Sequence, residues 1–170
     1  MDLTSPAQVD LPPYDISAIT DQLFIAAHPR ARHVENVRGL GVTLVLSTIR
    51  RAPPPELTRP PFTLIRLPMI DFPLFPLPLA TLWLGVEAAL PVLESGGRVL
   101  VYCRAGRHRS VALACCILIA RGMSADAAMD LVVERRPIAD PHEWYIETRI
   151  RAFEKDWNTR RRVVVDAARR

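Results

Sequence analysis

The sequence predicts an α/β fold, a three-layer sandwich around a central, mostly parallel sheet, and three observations predict it. Continuous apolar, β-branched runs without polar alternation recur along the chain, as in strands buried on both faces of a parallel sheet. Segments with apolar residues at helical spacing stand between those runs, and parallel strands need such crossovers. The chain has 170 residues, 49% hydrophobic and 24% charged, which suits one domain with its own core rather than several domains or a disordered polymer.

Residues 1–20, punctuated by Pro6, Pro12 and Pro13, read as an N-terminal tail or a strap along the surface. Residues 21–158 hold the periodic elements and form the folded domain, and residues 159–170, rich in arginine, read as a basic helix extension or tail. Gln22 to Ala27 is the first strand. His33 to Arg38, with Val34, Val37 and Leu40, suits a short helix that Gly39 or Gly41 can end. Thr43 to Ile49 is a strand with both faces apolar. Past the proline loop at Pro53-Pro54-Pro55, Phe62 to Leu67 gives a third strand. Asp71 to Pro78 contains Pro73, Pro76 and Pro78, which deny it helix and central strand, so it is a loop.

Leu79 to Leu93 is amphipathic at helical spacing and stops at Gly96-Gly97. Arg98 to Cys103 is another buried strand, and Ser110 to Ala120 is a helix apolar nearly all round, hence central. Ser124 caps a helix over Ala125 to Arg135 that Pro137 closes. Asp140-Pro141-His142-Glu143 offers a cap, a first-turn proline and an acid, opening a last helix through about Trp157. Trp83, Trp144 and Trp157 fall at helical positions and read as core or interhelix contacts.

Lys+Arg 22 against Asp+Glu 18 leaves +4, carried almost wholly by arginine because Lys155 is the one lysine. So small an excess suits an anionic ligand but does not imply nucleic acid. Met1 to Pro6 lacks the cationic start and apolar run of a signal peptide, so the expected compartment is the cytoplasm. The longest apolar run, Val111 to Ala120, falls far short of the ~20 residues that cross a bilayer, so no integral span is expected. Cys103, Cys115 and Cys116 are an odd count and indicate reduced thiols. His28, His33, His108 and His142 are scattered, no Cys-x-x-Cys occurs, and neither a metal nor another cofactor is expected. Nothing in the pattern specifies an oligomeric state.

The segment that carries chemistry is Cys103-Arg104-Ala105-Gly106-Arg107-His108-Arg109-Ser110. It lies between a buried strand and a buried helix, where open α/β sheets place ligands. Cys103 and Arg109 are separated by one short loop, which can curl its backbone N–H groups around an anion while the helix N-terminus adds further donors. A thiol there loses its proton easily, because that field favours the thiolate. The pattern Cys-x5-Arg-Ser resembles the signature loop of cysteine-dependent protein tyrosine phosphatases, and chain length and element order are most similar to the compact dual-specificity branch. The resemblance spans roughly residues 22–157.

That resemblance implies a dual-specificity phosphatase-like fold and hydrolysis of phosphomonoesters through a cysteinyl phosphate, on phosphotyrosine and on phosphoserine or phosphothreonine. It makes Cys103 the nucleophile, Arg109 the clamp on the phosphoryl oxygens and Ser110 the hydroxyl that helps the thiolate depart. Arg104, Ala105, Gly106, Arg107 and His108 wrap the phosphate. Compact members place their general acid on a loop about thirty residues upstream, and Asp71 stands there. One position departs from the family: Tyr102 occupies the place of the histidine that usually precedes the cysteine and helps fix the thiolate.

Arg104 and Arg107 beside Arg109 suit a substrate with extra negative charge and resemble loops that act on phosphoinositides or phosphatidylglycerophosphate, so the expected partner is a phosphorylated protein or a phospholipid. A phosphate-binding module with little turnover and a sulfurtransferase of the rhodanese kind remain the alternatives. Phe72 and Phe75, next to Asp71, read as packing onto the core, with the rim of the site as their other reading. Cys115 and Cys116 read as small core residues.

Overall fold

A computed structural model describes residues 13–168. Its five strands are β1 (Ile16–Ala18), β2 (Leu23–Ala26), β3 (Leu44–Ser47), β4 (Thr63–Arg66) and β5 (Val99–Tyr102). Its α-helices are α1 (Val34–Gly39), α2 (Leu79–Glu94), α3 (Arg109–Ala120), α4 (Ala125–Arg135) and α5 (Trp144–Ala168). Short 3-10 turns cover Ala31–His33 and Pro55–Thr58. The sheet order is β1-β2-β5-β3-β4. Strands β2, β5, β3 and β4 are mutually parallel and β1 pairs antiparallel with β2, so the sheet is mostly parallel as expected.

The continuous apolar runs bury all four residues of β2, β3 and β5. Alternation along each strand then feeds two cores. Leu23, Ile25, Leu44, Leu46, Val99 and Val101 face the thick layer formed by α2, α3, α4 and α5. Phe24, Val45, Leu100 and Tyr102 face a thinner layer with Val34 and Val37 of α1, Leu57, Phe62 and Tyr14. Ten of the twelve residues of α3 are buried, because the sheet, α2, α4 and α5 surround it, which accounts for its all-round apolarity. Cys115 and Cys116 lie in that core with their thiols pushed up by burial, so they act as small hydrophobes. Trp83 and Trp157 pack at a tilt between α2 and α5 with ring centroids 5.0 Å apart.

Three expectations change. Residues 1–12 lie outside the described residues, and from Pro13 the chain is no surface strap: Tyr14 is buried and Ile16–Ala18 extends the sheet. Asp140 does not cap the last helix, which starts at Trp144, because its carboxylate is held by Arg107 at 2.9 Å. Trp144 is not a core contact either, since it is 62% exposed. The basic C-terminal segment continues α5 as far as Ala168, and residues 169–170 lie outside the described residues.

Four parallel strands put their carboxyl ends on one edge, so the loops after β2, β3, β4 and β5 converge there. That edge carries the site. The end of α4 also reaches it, and α4 begins where the sequence expects: the Ser124 hydroxyl accepts the Ala127 N–H at 3.2 Å. Ser124→Ala should destabilise the domain by about 1 kcal/mol in chemical denaturation, the worth of one N-cap.

Candidate active site

At the carboxyl end of central strand β5 the chain turns through Cys103 to Ser110 and enters α3 at Arg109. Cys103 is 1% exposed. Its Sγ accepts the Gly106 backbone N–H at 3.1 Å and the Ser110 hydroxyl at 3.2 Å. Burial works against the thiolate. The Ser110 hydroxyl, the backbone N–H groups of Ser110 and Arg107, and the Arg109 charge outweigh it and hold the Cys103 thiol below its ordinary value.

The donors point inward because the loop's carbonyls are fastened from outside. Arg104 O accepts the His28 N–H at 3.2 Å, and Arg107 O accepts the Asp140 N–H at 3.0 Å. Between them, Ala105 O and Gly106 O accept from the Arg136 guanidinium at 3.0 and 2.7 Å. Arg136 is 1% exposed, just past α4, and forks onto both Asp15 oxygens at 2.9 Å each, with Ser17 Oγ at 3.1 Å. Gly106 has φ +67°, and a Cβ there would stand 2.9 Å from the Ala26 backbone and 2.5 Å from Arg136 Nη2. Only glycine fits both the backbone conformation and the space.

The loop after β4 brings Asp71 to the mouth. Its carboxylate lies 3.1 Å from His108 Nδ1 and 3.5 Å from Arg109 Nε, and it accepts the Tyr145 hydroxyl at 2.7 Å. Arg109 Nη1 also donates to Met69 O at 3.2 Å. Burial, then the bond to Asp71, pushes the Tyr145 hydroxyl well above its ordinary value, so it remains a donor. His108 Nε2 is buried without a partner.

The structure thus puts Ser110 against Cys103 within the loop and Asp71 against His108 and Arg109 of the same loop. The three loop guanidinium groups do not stay together. Arg107 turns to Asp140 and serves the site through its backbone N–H, and Arg104 lines a neighbouring hollow. Phe72 and Phe75 are exposed beside Asp71, 6.0 Å apart, rather than packed on the core. Tyr102 directs its ring into the thin core, and its backbone carbonyl accepts the Thr48 N–H and hydroxyl at 3.0 and 2.9 Å. The donors to Cys103 come from elsewhere in the loop. Among the described residues no group of three or more His, Cys, Asp and Glu side chains could hold a metal, and no helix is long and apolar enough to cross a membrane.

Sequence reading misses Arg136, Asp15 and Tyr145. The available signal was weak: an arginine after a helix and before Pro137, an aspartate in an N-terminal segment, and a tyrosine at a helical position.

Comparison with known proteins gives a consistent likeness. Residues 23–155 match the family described as dual specificity phosphatase, catalytic domain. The chain is 33% identical over 131 residues to dual specificity phosphatase 28 of Homo sapiens, covering 76% of this chain and 73% of the relative. Against the Mus musculus protein of the same name it is 34% identical over 132 residues, covering 77% and 78%. The crystal structure of human DUSP28 superposes with a TM-score of 0.76 at 30% identity, covering 87% of this chain and 97% of that one.

Two outcomes follow from the geometry. Alkylation of Cys103 by iodoacetamide should have its pH midpoint below the ~8.5 of a free thiol, and Ser110→Ala should move it upward, because a thiolate donor is lost. Arg136→Lys keeps the charge but cannot fork between Asp15 and two carbonyls. It should lower stability by about 2 kcal/mol in thermal unfolding and raise the same alkylation midpoint.

Proposed function

The chain belongs to the dual-specificity phosphatase family, and from that premise we propose that Cys103, Arg109, Asp71 and Ser110 carry its cysteine-dependent hydrolysis of phosphomonoesters. The observation that supports these roles is a buried Cys103 thiol facing the Gly106 amide and the Ser110 hydroxyl, with Arg109 and Asp71 meeting over the same loop.

The phosphoryl group enters with its oxygens on the loop N–H groups and the Arg109 fork, where preorganised donors match the charge of the transferring group. The Cys103 thiolate attacks phosphorus, the ester P–O bond breaks, and the leaving oxygen takes the Asp71 proton. Water then attacks phosphorus, its proton passes to the Asp71 carboxylate, and the P–S bond breaks. The Ser110 hydroxyl, 3.2 Å from Sγ, donates to the departing thiolate. Inorganic phosphate leaves and the thiolate returns. Arg104, Ala105, Gly106, Arg107 and His108 complete the loop, the first four through backbone groups fixed from outside. His108 and Tyr145 are positioning residues, because they touch Asp71 and hold its carboxyl over the pocket. The substrates are phosphotyrosine and phosphoserine or phosphothreonine in proteins. Free, buried thiols suit a reducing compartment, the cytoplasm.

Turnover of an aryl phosphate in chelator, and of phosphotyrosine and phosphothreonine peptides, should fall to background in Cys103→Ser. Turnover surviving that change would overturn the nucleophile assignment. Asp71→Asn should lower kcat by about a hundredfold on phosphothreonine, whose leaving alkoxide needs a proton, and far less on an aryl phosphate with an acidic leaving group. Tyr145→Phe should show the same leaving-group bias more weakly, about fivefold, where a merely structural role would lower both substrates alike.

A further inference from the structure

Seven large apolar side chains are exposed among the described residues, and six of them, Ile70, Phe72, Leu74, Phe75, Ile138 and Trp144, belong to two short segments. Those segments meet beside the phosphate-binding loop. Tyr145, next to Trp144 in the chain, donates its hydroxyl at 2.7 Å to Asp71, which stands between Ile70 and Phe72, and the Trp144 and Tyr145 rings are 5.8 Å apart. Asp140, two residues after Ile138, holds Arg107 of the loop at 2.9 Å. A concentration of exposed apolar side chains marks a place where something binds.

The exposure is built into the fold. Met69 and Leu77 are buried at the two ends of the first segment. The Met69 N–H donates to Thr48 O at 3.1 Å, and Arg149 Nε donates to Leu77 O at 2.8 Å. Between these anchors the Phe75 N–H donates to Phe72 O at 2.9 Å, closing a turn with Pro73 at its second position. Leu74, at the third position, is 77% exposed, and the Phe72 and Phe75 rings stand 6.0 Å apart at the base of the turn. A turn fixed in this way loses little further freedom when a ligand covers it.

Asp71 decides what that ligand is. A general acid must touch the leaving oxygen, so the part of the substrate that continues from this oxygen lies beside the chain neighbours of Asp71, Ile70 and Phe72. Side chains two apart on an extended peptide point to the same face, ~7 Å from one another. With a phosphorylated side chain in the pocket, the second residue along the peptide therefore comes over the turn. We propose that the Phe72–Phe75 turn is a specificity subsite for a bulky apolar side chain two residues from the phosphorylated one in a substrate peptide. The proposal rests on the phosphatase reading above and adds a substrate sequence to it. A peptide fits better than a membrane, because residues 70–78 and 137–144 contain Asp71, Asp140 and Glu143 and no lysine or arginine, whereas anionic membrane surfaces attract basic segments.

The test compares two phosphothreonine peptides, one with leucine and one with serine at the positions two residues to either side of the phosphothreonine. Binding to Cys103→Ser protein, followed by fluorescence anisotropy, should be about tenfold tighter for the leucine peptide, in line with burial of one leucine side chain. Adding Phe72→Ser and Phe75→Ser should erase that advantage and leave the serine peptide unchanged, while Phe72→Leu with Phe75→Leu should retain most of it. Equal affinity of the Cys103→Ser protein for the two peptides would overturn the subsite. A loss shared equally by both peptides in the serine pair would also overturn it, because the phenylalanines would then be merely structural. Binding to phosphatidylcholine vesicles, or dimerisation in analytical ultracentrifugation, that the serine pair abolishes while the two peptides bind alike would overturn it too, and would assign the turn to a bilayer or to a second copy of this chain. With Cys103 in place the serine pair should leave kcat on an aryl phosphate unchanged. Absence of aryl phosphate turnover in the unaltered chain would count against the catalytic reading, and the peptide comparison would still decide the subsite.

Discussion

Everything catalytic in this structure depends on which way the peptide units of one loop face. A peptide that turns its N–H toward the pocket must turn its C=O away, and a buried carbonyl without a donor costs about as much as a lost hydrogen bond. Arg136 resolves this at the two central units, taking Ala105 O and Gly106 O from below while Asp15 neutralises its charge. The His28 and Asp140 amides do the same at the two ends. Elements remote in sequence are thereby coupled to the pocket: the edge strand β1 through Asp15 and Ser17, and the end of α4 through Arg136 itself. The extra strand is part of the machinery that keeps the donors aimed, since without it Arg136 would be a buried charge lacking its partner.

The thiol shows how closely opposed terms decide the chemistry. Burial alone would keep Cys103 protonated, as it does for Cys115 and Cys116 in the neighbouring core. What separates Cys103 from them is position at a strand end, where backbone N–H groups, the Ser110 hydroxyl and Arg109 outweigh the same burial. That balance also bears on Tyr102. Alternation along β5 sends its ring to the opposite core from Val101, and its link to the site is the carbonyl that Thr48 holds. The tyrosine fills space in the thin layer, and thiolate stabilisation comes from the loop beyond it.

The parts of the structure that a periodic pattern encodes were legible in the sequence. Buried parallel strands have no polar face, a central helix has none either, and a Ser cap binds its own third neighbour, so each leaves a local mark. The loop from Cys103 to Ser110 could be named as a candidate because its residues are consecutive, and Asp71 because the resemblance implies a distance along the chain; the roles given to them are the proposal above. Strand β1 was not legible: three residues, Ile16 to Ala18, carry too little alternation to stand out in a proline-rich segment. The capping reading of Asp140 failed because a carboxylate beside an arginine takes the stronger, charge-assisted bond over a backbone N–H. Arg136, Asp15 and Tyr145 act across 30 or more residues of chain, through contacts that only the folded topology creates.

Arginine is this protein's general cation, so its abundance says little about any one residue, and what each does is decided by whether the fold gives it a carboxylate. Where it does, the side chain is structural: Arg136 on Asp15 below the loop, Arg107 on Asp140 at its end. Arg109 is intermediate, sharing Asp71 at 3.5 Å, a contact loose enough for an entering phosphate to replace. Where the fold supplies no carboxylate partner, as at Arg104, Arg51 and Arg30, the side chain stays exposed to solvent. What each arginine does here is therefore set by the placement of a few acids as much as by the bases themselves.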